Sequence, residues 1–384
     1  MKPLAHLATA VAAALALAGP AAADDLKIGF ISSMSGPISG LGIPYAKGLQ
    51  AALAQHPLIA GRKVQLIALD DASDPAAAAR DARKLVAEDK VDVLIGTSGV
   101  PGAMAIAAVA RESMTPLISP TPVSLPPGDG GWTVTVSQPF PLMVAAVVER
   151  MKASGVKSVA YIGFSDALGD LAYSSLVQAA GPAGIAIVAN ERYARSDTSV
   201  AGQILKIVAA RPDAVFAGTS GSPGALPYLA LAARGYKGQI YGTHGLINAD
   251  FVRVAGSSAD GLLVPSGPVM VADQLPAASP VRKVALEYRD AYRKSEGALP
   301  TDAFSAYTYD AYLLFADAAA RALEGGSEPG TPQFRAALKE AIASTHELAG
   351  THGIYTFKTD DAYGLDKRST VVIRLDKGQW KLAP

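Results

Sequence analysis

The chain has 384 residues, which is long for a single hydrophobic core and suits two domains. Half of its residues are apolar and 34 basic residues balance 34 acidic ones, which argues against a binding surface for nucleic acid or for an anionic membrane. Cysteine is absent, so the chain has no disulfides and no thiol that could carry a lipid anchor.

Residues 1–23 have the pattern of a secretory signal peptide. Lys2 gives a basic start, residues 4–17 are mostly alanine, leucine and valine, and small residues precede Asp24. This pattern predicts export and cleavage near residue 23, and the lack of a cysteine predicts a free periplasmic protein. No later run reaches 18 apolar residues, so no membrane-spanning helix is expected.

The first half of the mature chain alternates between short apolar runs and alanine-rich helical segments. Asp74 is predicted to cap the helix that begins at Pro75. The alternation predicts a parallel sheet with helices on both faces. The strands are expected at 27–32, 64–69, 91–95 and 116–119, and the helices at 42–55, 75–89 and 101–111.

The same alternation restarts after Pro139. Strands are expected at 158–163, 185–189, 213–217 and 239–241, with helices ending near 153 and 180. The remaining chain is mostly helical, with helices expected at 281–294, 302–323 and 332–343. Two late strands, 354–357 and 370–375, are expected to form a terminal hairpin.

One eight-residue segment occurs twice. Residues 96–103 read GTSGVPGA and residues 218–225 read GTSGSPGA, at an offset of 122. Each copy follows a predicted strand and precedes a predicted helix that opens with proline, which places it at the carboxyl end of a strand. Two such units at this spacing predict two similar α/β lobes that face each other.

The two copies differ at one informative position. With proline as the first helical residue, the preceding residue is Val100 in the first copy and Ser222 in the second. Serine caps a helix with its hydroxyl and valine cannot, so the first helix is expected to keep unpaired N–H groups. A ligand carboxylate is one partner for such groups, and water or a neighbouring side chain is the other.

Motifs for catalysis and for cofactor binding are missing. No pair of histidines has the helical spacing of a metal site, and neither a phosphate-binding loop nor a dinucleotide-binding glycine motif is present. Glycine directly follows Ser98, so the register of a nucleophile elbow fails. The sequence therefore predicts a binding protein without metal or cofactor, not an enzyme.

The ordered set of motifs resembles the periplasmic Leu/Ile/Val-binding proteins, which are type I substrate-binding subunits of ABC importers. The resemblance covers residues 26–382. It is carried, in order, by the segments at 27–31, 34–37 and 70–75, by Gly96, and by the segments at 118–120 and 309–311.

The resemblance implies two Rossmann-like α/β lobes, joined by three crossovers, that close on a ligand by a hinge motion. It places the crossovers near Ser137, Ser266 and Gly353. Lobe 1 would then comprise residues 24–137 and 267–352, and lobe 2 residues 138–266 and 353–384. The expected partners are a small-molecule ligand and the membrane subunits of an ABC permease, with the protein itself a monomer.

The resemblance also implies positions for ligand contacts. The loop that holds an amino acid's carboxylate corresponds to Ser98, Gly99 and Val100, where valine replaces a hydroxyl residue. Val123 falls where a second hydroxyl is expected, so Thr121 or Ser124 would have to replace it.

In the second lobe, His244 falls where the family has a glutamate for the ligand's ammonium group. The residues that frame the ligand correspond to Leu41, Leu168 and Thr219, none of them aromatic. Phe304 or Tyr307 would supply a ring instead.

These differences favour an aromatic or other organic acid without an amino group, because a buried ammonium needs a charged acceptor. In the alternative, His244 points elsewhere, another acid such as Asp166 binds an ammonium, and the ligand is a branched-chain or other amino acid. A periplasmic sensor-type binding protein is a second alternative.

Overall fold

The computed structural model describes residues 25–125, 131–358 and 361–383, so the predicted signal peptide lies outside the described residues. No helix in the described ranges is long and apolar enough to span a membrane. The described chain forms two large sheets, each flanked by helices, and one small two-stranded sheet.

The first large sheet has six strands in the order β2-β3-β1-β4-β5-β6, all parallel except for the antiparallel pair β2–β3. Its central strand β4 is buried along its whole length, which explains its continuous apolar sequence. The elements of this part are β1 (Leu26–Ser32), α1 (Ser39–Gln55), β2 (Leu58–Ile59), β3 (Arg62–Asp70), α2 (Pro75–Ala87), β4 (Val93–Gly96), α3 (Val100–Ser113), β5 (Leu117–Ser119) and β6 (Thr133–Thr135).

The second large sheet begins with five parallel strands in the order β11-β10-β9-β7-β8. The elements are α4 (Phe140–Ala153), β7 (Ser158–Phe164), α5 (Ala167–Ala180), β8 (Ala186–Tyr193), α6 (Ala201–Ala209), β9 (Ala214–Gly218), α7 (Leu226–Ala233), β10 (Gln239–Gly242), α8 (Ala249–Ala255) and β11 (Leu263–Ser266).

The remaining chain places helices beside the first sheet and adds strands to the second sheet. Helices α9 (Pro280–Glu296) and α10 (Phe304–Glu324) pack against α1 beside the first sheet, and α11 (Pro332–Ala343) packs against α10. Strands β12 (Leu348–Ala349) and β13 (Ile354–Tyr355) form the small sheet. Strands β14 (Val371–Asp376) and β15 (Gln379–Leu382) then extend the second sheet as antiparallel edge strands.

The chain therefore passes between the two large sheets three times: after β6, after β11, and between β13 and β14. Ser137 follows β6, Ser266 ends β11, and Gly353 directly precedes β13. The division into lobes at these residues stays a prediction.

Two local predictions have clear outcomes. The capping role of Asp74 is confirmed, because its carboxylate accepts the Ala77 N–H at 2.6 Å. The predicted hairpin between 354–357 and 370–375 is wrong. Strand β14 pairs with β15 instead, across a two-residue turn at Lys377 and Gly378 whose positive φ angles of 50° and 77° suit a tight hairpin.

Candidate ligand-binding site

The repeated segments lie where parallel strands β4 and β9 end, each leading into a helical turn. The offset of 122 extends beyond the repeat, from Thr121 to Thr243. The Thr121 hydroxyl donates to the Thr97 carbonyl at 2.5 Å, and the Thr243 hydroxyl donates to the Thr219 carbonyl at 2.5 Å. Each loop is thus held by a threonine of its own sheet region, in equivalent geometry.

The predicted cap by Ser222 is wrong. The second helical turn begins at Ser222 itself, and the preceding residue is Gly221, whose φ of 64° is favourable for glycine. In the first copy α3 begins at Val100 after Gly99, and neither copy has a side-chain cap. Starting the helical turn at Ser222 puts that serine inside the turn, where it no longer occupies the capping position.

The two loops nevertheless differ in their backbone donors. The Gly221 N–H donates to the Gly245 carbonyl at 3.0 Å. The N–H groups of Gly99 and Val100 have no acceptor among the described residues. The first loop therefore offers unpaired donors at the start of α3, where the helix dipole favours an anion.

A small cavity of about 20 Å³ lies between the two loops, and we call it the inner cavity. Its lining includes eight of the predicted site residues: Leu41, Ser98, Gly99, Val100, Thr121, Leu168, His244 and Phe304. The sequence reasoning missed five others on the wall: Tyr45, Pro122, Ser220, Thr243 and Gly245.

Three predicted residues lie away from the inner cavity. Thr219 is fully buried behind the second loop, where its carbonyl receives Thr243. Ser124 is exposed, so Thr121 is the hydroxyl residue of that segment that reaches the cavity. Tyr307 packs behind Phe304, with a ring-centroid distance of 6.4 Å.

His244 is buried among aromatic rings. Its ring centroid lies 5.8 Å from that of Phe140, 6.3 Å from that of Phe304 and 6.4 Å from that of Tyr307. Its Nδ1 has no hydrogen-bond partner among the described residues. Burial lowers the pKa of His244 from 6.5 to about 4, so its imidazole is neutral at pH 7.

Behind His244, aromatic packing leads to the segments that connect the sheets. The Tyr307 ring stacks on His352 with centroids 3.7 Å apart, and the Tyr307 hydroxyl donates to Gln138 Oε1 at 2.6 Å. Burial lowers the pKa of His352 to about 3. Gly267 packs directly against this group and leaves no room for a side chain, because a Cβ there would lie 1.9 Å from His352 Nδ1. The Gln138 Nε2 also donates to the Ser369 carbonyl at 2.8 Å, and Ser369 lies between β13 and β14. Gln138, Gly267 and Ser369 thus bring all three connecting segments together behind the inner cavity.

The hydroxyl groups on the first-sheet side of the cavity already have protein partners. The Ser98 hydroxyl contacts the Ser32 hydroxyl at 2.9 Å and accepts the Ser33 N–H at 3.0 Å. The Tyr45 hydroxyl donates to the Pro120 carbonyl at 3.1 Å. These bonds fix the positions of the side chains before any ligand arrives.

A second cavity of about 230 Å³, the outer cavity, shares Gly99 with the inner one. Asp166 and Arg195 contribute its second-sheet side and form an ion pair at 2.6 Å. The Asp166 carboxylate also accepts the N–H groups of Leu168 and Gly169 at the start of α5. The predicted alternative acceptor for a ligand ammonium is therefore already occupied.

In the ranges that the structure describes, no cluster of three or more histidine, aspartate or glutamate residues could hold a metal ion. Two α/β units with polar loops facing one cavity are the features of a two-lobed ligand-binding protein.

Comparison with known proteins agrees with that class. A family model described as "Periplasmic binding protein" matches residues 25–364. The chain therefore belongs to the periplasmic binding proteins, within the type I group of Leu/Ile/Val-binding proteins. The predicted fold class, two Rossmann-like α/β units, is confirmed.

Three proteins similar to this chain differ in their sequence identity to it and in their described ligands. An extracellular ligand-binding receptor from Rhodopseudomonas palustris HaA2 is 39% identical, with a TM-score of 0.90, over 94% of this chain and 100% of that one. The Leu/Ile/Val-binding protein BraC3 of Rhizobium johnstonii is 24% identical, over 91% of this chain and 92% of that one. A solute binding protein of an ABC transporter from R. palustris, solved in complex with benzoate, is 21% identical with a TM-score of 0.76, over 94% of this chain and 95% of that one.

Proposed function

We propose that the protein is the periplasmic solute-binding component of an ABC importer and that its ligand is an organic acid without an amino group. The ligand binds between the loops at Gly99 and His244 and is delivered to the membrane subunits of a permease. Membership of the periplasmic binding proteins supports the transport role. The protein acts as a monomer that is exported through a cleaved signal peptide.

The main observation for an acidic ligand is that none of the described residues that line the inner cavity is an aspartate or a glutamate. A buried ammonium without a charged acceptor is strongly unfavourable. The acid predicted as the alternative acceptor, Asp166, is engaged by Arg195 and by the N-terminus of α5. The wall therefore favours a ligand that carries no positive charge.

The donors on the wall suit a carboxylate. The N–H groups of Gly99 and Val100 have no acceptor among the described residues, and they sit at the positive end of α3. His244 is neutral at pH 7, so it adds a hydrogen-bonding nitrogen without a charge. A carboxylate at the α3 end would leave the ligand's body pointing towards His244.

The remaining wall suits an apolar or aromatic body. Leu41, Leu168 and Phe304 supply apolar surface, and Tyr45 packs edge-on against Phe304 at 5.7 Å. The distant R. palustris solute binding protein solved with benzoate has the same fold, which makes an aromatic acid a reasonable ligand class to test. Amino-acid binding is the second candidate, because the curated relatives are described as Leu/Ile/Val-binding proteins.

Ligand entry requires the walls to separate. The inner cavity has a volume of about 20 Å³, enough for about one water molecule. Leu41 and Gly99 belong to the first-sheet side of the wall, and Leu168 and His244 to the second. A hinge motion about the segments near Ser137, Ser266 and Gly353 would open the cavity. The two lobes that move would be residues 24–137 with 267–352 and residues 138–266 with 353–384.

A thermal-shift panel tests the ligand class. The purified protein is titrated with benzoate, 3-phenylpropanoate, leucine and valine, with the neutral amides of the two acids as matched controls. We expect the acids to raise the melting temperature by several degrees, and the amides and amino acids to leave it unchanged. Stabilisation by leucine or valine with none by the acids would refute the proposal. Mass spectrometry of ligands that co-purify with the native protein gives an independent check.

A further inference from the structure

The first turn of α1 packs against the second-sheet side of the molecule, at the edge of the inner cavity. Gly40 lies one residue before Leu41, which lines that cavity. A Cβ on Gly40 would lie 2.8 Å from Asp250 Oδ2 and 3.4 Å from Asn248 Oδ1, both at the start of α8. A Cβ on Gly221 would lie 3.6 Å from Leu41 Cδ1. The two sides of the molecule therefore touch directly at this turn.

The contact with α8, and not the backbone, explains the glycine at position 40. Gly40 is the second residue of α1 and has no positive φ, so its conformation does not require glycine. Alanine is more favourable than glycine inside a helix. At this position, however, even a methyl group would enter the space that the Asp250 carboxylate occupies. A small residue is therefore needed only while α8 lies against α1.

The same contact has an electrostatic component. Helix α1 has neither a side-chain cap nor an acidic residue in its first turn, and the Gly40 N–H has no acceptor among the described residues. The Asp250 carboxylate accepts Arg253 Nη2 at 3.2 Å through Oδ1, and its Oδ2 lies beside Gly40. A negative charge at the N-terminus of a helix is stabilising. The carboxylate of one side of the molecule thus complements the helix dipole of the other.

Asp250 also lies in the first turn of its own helix, α8. Its charge therefore stabilises α8 to the same extent whether or not α8 touches α1. Only the attraction to α1 depends on the arrangement of the two sides. A measurement of that arrangement consequently separates the two roles.

We propose that Gly40 and Asp250 form a latch between the two lobes, which favours the closed arrangement and slows ligand release. The proposal rests on the proposed function, because it takes the hinge motion between the lobes as given. Gly40 belongs to residues 24–137 and Asp250 to residues 138–266, so opening separates them. Neither residue lines the inner cavity, so both are positioning residues that act through the arrangement of the lobes.

Spin labels test the latch in the mature protein. Because the chain contains no cysteine, Glu112→Cys on α3 and Val177→Cys on α5 can be labelled specifically, and both positions are exposed. Pulsed electron paramagnetic resonance should show a short and a long distance for the ligand-free protein. Gly40→Leu should lower the ratio of short to long distances at least fivefold. Gly202→Leu is the matched control, because Gly202 is the second residue of α6 and a Cβ there meets nothing within 4 Å; it should leave the ratio unchanged.

A double-mutant cycle tests whether Gly40 acts through Asp250. Gly40→Ala should lower the ratio about threefold in the wild type and less than 1.5-fold in an Asp250→Ala background, where the carboxylate is gone. Asp250→Asn keeps the shape without the charge and should lower the ratio about twofold. Alanine is favourable in a helix, so Gly40→Ala remains informative should Gly40→Leu fold poorly.

Stopped-flow and calorimetric measurements with 3-phenylpropanoate give the effect on binding. Gly40→Leu should raise the Kd at least threefold, mainly through faster dissociation, and by the same factor for every ligand that the wild type binds.

Three results would overturn the latch: a single distance in the ligand-free wild type, equal ratios for Gly40→Leu and Gly202→Leu, or an equal effect of Gly40→Ala in both Asp250 backgrounds. A wild type that binds none of the acids would instead refute the proposed function. The spin-label comparison needs no ligand, so it decides about the latch in that case too.

Discussion

Protonation of His244 should destabilise the protein in acid. The imidazole is buried without a partner for Nδ1, and burial lowers its pKa from 6.5 to about 4. Protonation therefore favours the unfolded chain, in which the imidazolium is hydrated. The stability that depends on neutral His244 is fully present above pH 6.5 and is lost as the pH falls through 6.5 towards 4.

The two pKa values set the size of the effect. Relative to pH 7.5, the free energy of unfolding should fall through His244 by about 2 kcal/mol at pH 5 and by about 3 kcal/mol at pH 4. His244→Leu removes the titrating group and fills the site with an apolar side chain of similar size. Its free energy of unfolding relative to the wild type should therefore rise by the same amounts as the pH falls.

Urea unfolding of both proteins between pH 7.5 and 4.5, followed by tryptophan fluorescence and by circular dichroism, measures this difference. His346→Gln is the control, because His346 is exposed, and it should keep the wild-type pH dependence. A difference between His244→Leu and the wild type that stays constant from pH 7.5 to 4.5 would refute the reasoning about burial.

Two further substitutions test local geometry by thermal and urea unfolding. Asp74→Ala removes the acceptor of the Ala77 N–H and should lower the free energy of unfolding by about 1 kcal/mol. Asp74→Asn keeps a side-chain oxygen and should recover most of that stability. Equal stability of the two variants would contradict the capping role. Gly267→Ala should lower the melting temperature markedly, because the new Cβ would lie 1.9 Å from His352 Nδ1. Gly202→Ala, where a Cβ meets nothing within 4 Å, is its control and should be neutral or slightly stabilising.

Sequence reasoning works well where local chemistry decides the structure. Short apolar runs between polar turns predict the buried strands, and the repeated segment predicts two equivalent loops at strand ends. The cap by Asp74 follows from its own neighbours in the chain. These features depend on a few consecutive residues, so a single sequence contains the information.

Features that depend on distant contacts were missed or wrong. Ser222 is not a cap because Gly221 bonds to Gly245, which is 24 residues further along the chain. Tyr45 reaches the cavity because α1 packs beside α10, and no pattern near Tyr45 reveals this. The contact between Gly40 and Asp250 is visible only once α1 and α8 are seen to meet.

The two threonine bonds described above, Thr121 to Thr97 and Thr243 to Thr219, each stay within one sheet region. Each of these bonds therefore holds its loop from the same half of the molecule. An arriving ligand would therefore meet a surface that is already ordered, and no loop would have to fold during capture. The capture rate should accordingly follow encounter by diffusion and the closing motion, so it should rise in proportion to ligand concentration until closure becomes limiting.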